Sequence, residues 1–305
     1  LDDWFKVELT YTSNALEGNT LTRQETALVV EKGLTVGGKS LQEHLEATNH
    51  ADALDWVRER VTSRCETVSE KDILELHHLI LKGIDDAHAG CFRTVAVRIS
   101  GSNVILPNPV KVPDLMEEFC RWLRKPDSTH PVEVAAEAHY RLVTIHPFTD
   151  GNGRSGRLLM NLILLLHGYP PAFIRKRERL AYLNSLAKAQ LGGSKDDYLK
   201  LMAKAVDRSL DIYLKAIQNE ITAEPNDDDL LKIGQLAEAA GETVRTIRFW
   251  TSEGLLHIAD KTASNYALYD PGSIDRVRKI QDLKKQRFTL REIRGMLDEE
   301  TGGPR

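Results

Sequence analysis

Cysteine is scarce in this chain: Cys65, Cys91 and Cys120 are the only three in 305 residues. No two of them form a Cys-x-x-Cys pair, which excludes a disulfide framework and a cysteine-based zinc site. Long apolar runs are also missing. The longest candidate, Leu158 to Leu166, is broken by Asn161 and falls far short of the roughly 20 apolar residues that a bilayer span needs. The chain has no large excess of one charge either. A net charge of −4 argues against a nucleic-acid coat along the whole length. No secretory signal precedes Trp4, and the expected setting is a reducing cytoplasm without membrane attachment.

What is present suits a soluble globular protein of two domains, with 41% apolar and 28% charged residues. Apolar residues recur at three- and four-residue spacing through Leu41–Val61, Lys71–Leu81, Val112–Leu123, Val132–Ile145, Arg157–His167 and Tyr198–Ile221, which predicts helices. One stretch differs. Val95, Val97 and Ile99 alternate with smaller or polar residues, Gly101-Ser102-Asn103 supplies a turn, and Val104-Ile105-Leu106 returns before Pro107, which predicts a β-hairpin. Residues 223–229 are polar and acidic and read as a linker between a first domain, 1–222, and a second, 230–305. Charge changes across it: residues 1–229 carry 28 Lys and Arg against 34 Asp and Glu, whereas residues 230–305 carry 13 against 11. The second domain is therefore the part that permits a nucleic-acid partner.

The chemistry concentrates in His146-Pro147-Phe148-Thr149-Asp150-Gly151-Asn152-Gly153-Arg154-Ser155-Gly156-Arg157. Pro147 disfavours helical geometry at His146, which leaves that imidazole at a helix end. Gly151, Asn152 and Gly153 let successive N–H groups face one concavity. A helix beginning near Ser155 adds its positive end to the same place, making an anion nest. Asp150 is a hard oxygen donor of the kind Mg²⁺ takes alongside waters and phosphates. Arg154 and Arg157 stand three apart, where guanidiniums can clamp further phosphates. With an ordinary pKa near 6.5, His146 can take a proton from an incoming hydroxyl.

These residues resemble the signature of Fic domains, and the likeness runs from about Leu9 to Leu214, including Leu158-Leu159-Met160-Asn161 and Gly168-Tyr169-Pro170-Pro171. The resemblance implies an all-α Fic fold with a β-hairpin flap, and transfer of AMP from ATP to a Ser, Thr or Tyr hydroxyl of a protein target or of the chain itself. It implies that His146 is the general base, Asp150 the Mg²⁺ ligand, and Gly151, Asn152 and Gly153 the anion hole. Arg154 and Arg157 would hold the β- and γ-phosphates, and Tyr182 would line the adenine pocket. Ser13-Asn14-Ala15-Leu16-Glu17-Gly18 is similar to the inhibitory pattern of Fic proteins with an N-terminal inhibitory helix, in which Glu17 would pair with Arg157. The hairpin matches the family's flap, onto which an extended target segment could add as a strand.

Two further features are read as structural. Gly33-Leu34-Thr35-Val36-Gly37-Gly38-Lys39-Ser40 satisfies the P-loop pattern letter for letter. However, Thr22 to Glu25 form a capping box that opens a helix and Gly33 stands at its end, so the stretch reads as a helix-connecting loop. His77, His78, His139 and His167 lack acidic or cysteine partners at metal-ligand spacing.

The second domain resembles the winged helix-turn-helix of MerR-type regulators. Ile233 to Gly241 correspond to the first helix and turn, Thr243 to Trp250 to the second helix, Glu253 to Leu256 with Tyr266 to Tyr269 to the wing, and Ile274–Leu283 with Leu290–Leu297 to the closing helices. The resemblance implies that Arg245, Thr246, Arg248 and Tyr266 face DNA. MerR-type regulators dimerise through a long C-terminal helix, whereas eight residues follow Leu297 here, so DNA binding would require a homodimer formed through the first domain, and a helix-turn-helix that only binds or recruits protein is the other reading. The alternatives left open are a DNA-binding regulator with a Fic sensor, and a Fic enzyme that removes AMP or uses another nucleotide.

Overall fold

The computed structural model describes residues 1–63, 67–126, 130–218, 230–261, 266–286 and 288–300. The linker expected at 223–229 lies outside the described residues. The chain divides into two compact units, Leu1–Ile221 and Thr222–Arg305.

The first unit is helical, with α1 at Asp2–Leu16, α2 at Arg23–Lys32, α3 at Leu41–Thr62, α4 at Glu70–Leu81, α5 at Val112–Arg124, α6 at Pro131–Ile145, α7 at Asn152–Leu166, α8 at Arg179–Gln190 and α9 at Asp196–Ile217. Capping boxes set three of the starts: Thr22 with Glu25, Ser40 with Glu43, and Ser69 with Asp72. α2 ends on Gly33 in the left-handed region. In the loop that follows, Lys39 Nζ donates to the Thr20 carbonyl at 2.6 Å, and the Val36 N–H donates to His44 Nε2 at 2.9 Å. Lys39 thus ties down a helix connection, as expected of a sequence that only imitates a P-loop.

α6 and α7 pack most extensively against each other and form the centre, with α3 and α4 against α7 and α9 against α6. α7 is buried from Arg154 through Leu164 along nearly its whole circumference. This central helix cannot shift without disturbing Leu142, Ile80 and Leu54, so whatever it carries at its N-terminus is held rigidly. α1 is equally embedded, with Phe5, Leu9 and Leu16 joining the same core.

The hairpin expected over 95–106 does not form as paired strands. A turn is present, with the Ser102 N–H donating to the Ile99 carbonyl at 3.2 Å, but the arms carry no ladder, and Ile105 is 94% exposed. Two strands with no third partner and no apolar face to bury are marginal in water, so alternation alone does not make a ladder here.

In the second unit, α10 at Ile233–Ala240 and α11 at Val244–Ser252 are joined through Gly241 in the left-handed region, with Thr243 capping α11. α12 at Ser273–Lys285 and α13 at Leu290–Glu300 close a core built on Trp250, Ile247, Leu236, Tyr269 and Ile280. Strands β1 (Leu231–Lys232), β2 (Asp260–Lys261) and β3 (Ala267–Tyr269) form an antiparallel sheet in the order β1-β3-β2, with Leu231 opposite Tyr269 and Asp260 opposite Leu268. Glu253 to Leu256, read as part of the wing, form the turn after α11 instead, and the wing strands are β2 and β3.

Candidate active site

His146 ends α6. It is the one described non-glycine residue with positive φ (φ 52, ψ 59), because Pro147 prevents the helix from continuing. Its Nδ1 lies 3.2 Å from the Val143 carbonyl, so Nδ1 carries the hydrogen and Nε2 keeps its lone pair. Burial holds its pKa below the ordinary value, leaving the ring neutral at pH 7.

The turn after it is stapled from below. Asn152 Oδ1 accepts from the Phe148 N–H at 3.0 Å while Asn152 Nδ2 donates to the Phe148 carbonyl at 2.9 Å. Phe148 is fully buried and stacks on His77 with ring centres 3.6 Å apart. The Gly90 N–H donates to His77 Nδ1, so His77 Nε2 carries the hydrogen and donates to the Asp150 carbonyl at 3.1 Å. Burial pushes His77 down to about 4, which keeps it neutral in this role. Gly151 turns the chain with φ 74, where a Cβ would meet Ile80 Cδ1 at 3.0 Å.

α7 begins at Asn152 rather than near Ser155, so the nest is the helix's own first turn, whose N–H groups lack intrahelical acceptors. The Asn152 side chain is held by the Phe148 backbone through both its oxygen and its nitrogen, and its own N–H stands in the first turn of α7. Arg154 is 3% exposed and donates to Asp150 Oδ2 at 3.1 Å. Its Nη1 lies 3.5 Å from Glu46 Oε1, yet among the described residues Nε and Nη1 have no hydrogen-bond acceptor. Buried guanidinium hydrogens without acceptors are costly unless a ligand takes them.

Arg157 is buried one turn further on. Its Nε donates to Ser13 Oγ at 2.9 Å, and its Nη2 donates to the Ser13 carbonyl at 3.0 Å and to Glu17 Oε1 at 2.7 Å. The same Glu17 oxygen would lie 2.2 Å from a Cβ at Gly153, so the carboxylate rests on bare backbone inside the nest. Burial alone would raise the Glu17 carboxyl, but Arg157, with Arg154 and Arg179, outweighs it and holds the group below the usual range. Arg179 also donates to the Leu16 carbonyl at 2.7 Å, fixing the end of α1.

Tyr182 does not line an open pocket. It is 2% exposed, and its hydroxyl donates to His139 Nε2 at 2.9 Å. His139 Nδ1 then donates to the Tyr198 hydroxyl at 2.8 Å, and Tyr198 donates to the Ala136 carbonyl at 2.8 Å. Tyr182 sits on the face of α8 turned to the core, so it belongs to a directional hydrogen-bond chain that runs through His139 and Tyr198. This correction to the expected adenine contact follows from helix facing, which the family resemblance does not specify.

The Asp150 side chain is 67% exposed at the mouth of the nest. Among the described residues no group of three or more His, Cys, Asp or Glu stands together, so the donor set is a single carboxylate. That set suits a magnesium ion whose other ligands are water and phosphate. In the second unit, Arg245, Arg248 and Phe249 are exposed on α11, Thr246 is partly exposed beside them, and Tyr266 is 70% exposed on the wing.

Sequence reasoning missed Arg93, a 2% exposed residue whose guanidinium donates to three backbone carbonyls around His146 and the flap. It lies in a non-periodic loop 53 residues from His146, and no local signal marks it.

Comparison with known proteins accords with this geometry. Residues 67–164 match the Fic/DOC family and residues 231–300 the MerR HTH family of regulatory proteins. The protein adenylyltransferase Fic of Nematostella vectensis is 39% identical over 206 residues, covering 67% of this chain and 48% of that protein; its Drosophila grimshawi counterpart is 40% identical over 208 residues, covering 68% and 42%. The chain thus spans about half the length of the curated relatives it matches. Among solved structures, C. elegans Fic-1 (residues 134–508) aligns with TM-score 0.65 and 34% identity over 70% of this chain and 64% of that one. A Fic domain containing signaling protein from Bacteroides thetaiotaomicron aligns with TM-score 0.65 and 31% identity over 72% of this chain and 88% of that one. Both the built nest and these alignments place the chain in the Fic/DOC family.

Proposed function

We propose that this chain is a protein adenylyltransferase, restrained by Glu17. The observation that carries the reading is the nest itself: first-turn N–H groups of α7, Arg154 with unmet donors, and Arg157 already holding a carboxylate where a phosphate would lie. His146 Nε2 takes the proton of a target hydroxyl, whose oxygen attacks the α-phosphorus of ATP; the bond to the bridging oxygen breaks and pyrophosphate leaves with its electron pair. The N–H groups of Asn152 and Gly153, with Arg154 and Arg157, hold the phosphate oxygens. Magnesium, held at Asp150, supplies charge neutralisation across the phosphates when bound. Glu17 competes for the same donors, so ATP meets Arg157 productively only when that carboxylate moves aside.

The target is a protein hydroxyl, on another protein or on the chain itself, approached along the flap. Residues 223–229 link this domain to a DNA-binding one in which Arg245, Thr246, Arg248 and Tyr266, with the exposed Phe249, face the duplex. No described helix is long and apolar enough to cross a membrane. The scarcity of cysteine suits a reducing cytoplasm, and DNA binding would require a homodimer through the first domain. Incubation with α-³²P-ATP and Mg²⁺ tests the reading: label reaches protein in the Glu17→Gly variant and not in Glu17→Gly/His146→Ala. Label from another α-labelled nucleotide alone, or salt-sensitive duplex retention with no transfer, replaces it with one of the rival readings.

A further inference from the structure

The geometry points to Arg93 as the positioning residue that sets the flap against the general base. Its Nε donates to the His146 carbonyl at 2.7 Å, its Nη1 to the Val95 carbonyl at 3.1 Å and its Nη2 to the Pro107 carbonyl at 2.7 Å, while its own N–H donates to the Pro147 carbonyl at 2.8 Å. Val95 and Pro107 are the two ends of the flap, and His146-Pro147 is the strained corner that aims the imidazole. One planar fork therefore joins three chain segments that share no strand ladder.

The need for such a joint follows from the backbone. His146 closes α6 in the left-handed region and is followed by proline, so its carbonyl has no helical acceptor role and Pro147 brings no N–H to the corner. The flap arms are not paired with each other. Without Arg93, three carbonyls of a half-buried corner lose their donor and nothing fixes the distance between flap and His146. A lysine could satisfy one carbonyl but not three, because the rigid fork is what spans them. Target hydroxyl and imidazole meet only if flap and corner keep one register, so the effect is on delivery of the target, not on nucleotide binding.

This inference rests on the adenylyltransferase reading, and two of its tests do not need activity. In the full-length Glu17→Gly chain, Arg93→Gln and Arg93→Lys are compared with the parent. Trypsin cleavage after the exposed flap residue Arg98 should accelerate at least tenfold in Arg93→Gln and by an intermediate factor in Arg93→Lys. The His146 ring nitrogens, observed by ¹⁵N NMR, should lose their single-tautomer signature in the same order. Label transfer from α-³²P-ATP should fall at least tenfold while the Kd for Mg²⁺-ATP stays within twofold. Cleavage and NMR unchanged within twofold overturn the inference, as does a loss of nucleotide affinity equal to the loss of rate. Absence of transfer in the parent itself overturns the enzymatic reading and leaves the cleavage and NMR results to judge Arg93. Arg93→Lys, which keeps the charge, guards against a variant that fails to fold.

Discussion

Replacing Glu17 by glycine perturbs the nest at its most loaded contact. The carboxylate accepts a 2.7 Å hydrogen bond from Arg157 and rests on Gly153, and under the proposed function an incoming phosphate displaces it from both. A hydrogen bond to a charged group contributes about 1.5–3 kcal/mol. Since 41% of the Glu17 side chain stays exposed, water screens the pair, and about 1–2 kcal/mol is the better figure. Removing the contact should raise productive nucleotide binding, and the rate at sub-saturating ATP, roughly 5–30-fold. Glu17→Gln, which keeps the bulk over Gly153 and loses the charge, should fall between parent and Glu17→Gly. Arg157 retains Ser13 Oγ and the Ser13 carbonyl, so the loss stays with the Glu17 contact and the melting temperature should move by no more than about 8 °C. Because Glu17 is held below its ordinary carboxylate value in the folded chain, its pairing is fully present above that value and is lost as pH falls through the lowered one. Restraint should accordingly be constant from about pH 5.5 to 8. The assay is initial-rate label transfer from α-³²P-ATP; equal rates in parent and Glu17→Gly would refute the displacement argument.

In the Glu17→Gly background the rate should be flat down to about pH 6.5 and decline only below it, since burial lowers the His146 pKa; a pH–rate profile with an acid limb centred above 6.5 contradicts this. Asn152→Ala breaks both bonds to the Phe148 backbone and should cost about 1–3 kcal/mol, roughly 2–12 °C by calorimetry; no shift means the staple is idle. Tyr182→Phe removes the hydrogen bond to His139 and should lower stability by about 1–2 kcal/mol, with similar affinities for Mg²⁺-ATP and Mg²⁺-GTP relative to each other before and after; a changed base preference would restore Tyr182 to the nucleotide pocket.

Much of this site is written locally. His146-Pro147 fixes a helix end and Gly151 a left-handed turn through short-range sterics, and three capping boxes mark their helices without outside help. The flap shows where local reading stops: alternation at Val95 to Ile99 is present, but pairing depends on a third strand or a buried face that the fold does not supply. Tyr182 shows the same limit in another form, since being on α8 says nothing about which face meets α6 and α9. Arg93 is the extreme case, because its acceptors at Val95, Pro107 and His146 stand 2, 14 and 53 residues away and no spacing rule connects them.

The sequence alone determined the chemistry of the nest: a titratable base at a helix end, bare backbone before a helix start, and guanidiniums at helical spacing follow from bonds between near neighbours. Only the tertiary structure decided how that chemistry is governed. Packing α1 into the core brings Ser13 and Glu17 to Arg157, 140 or more residues away, and the loop before the flap, laid against the end of α6, docks Arg93 on the His146 carbonyl. Such contacts depend on how whole helices face one another, a property of the assembled core and not of any stretch of chain.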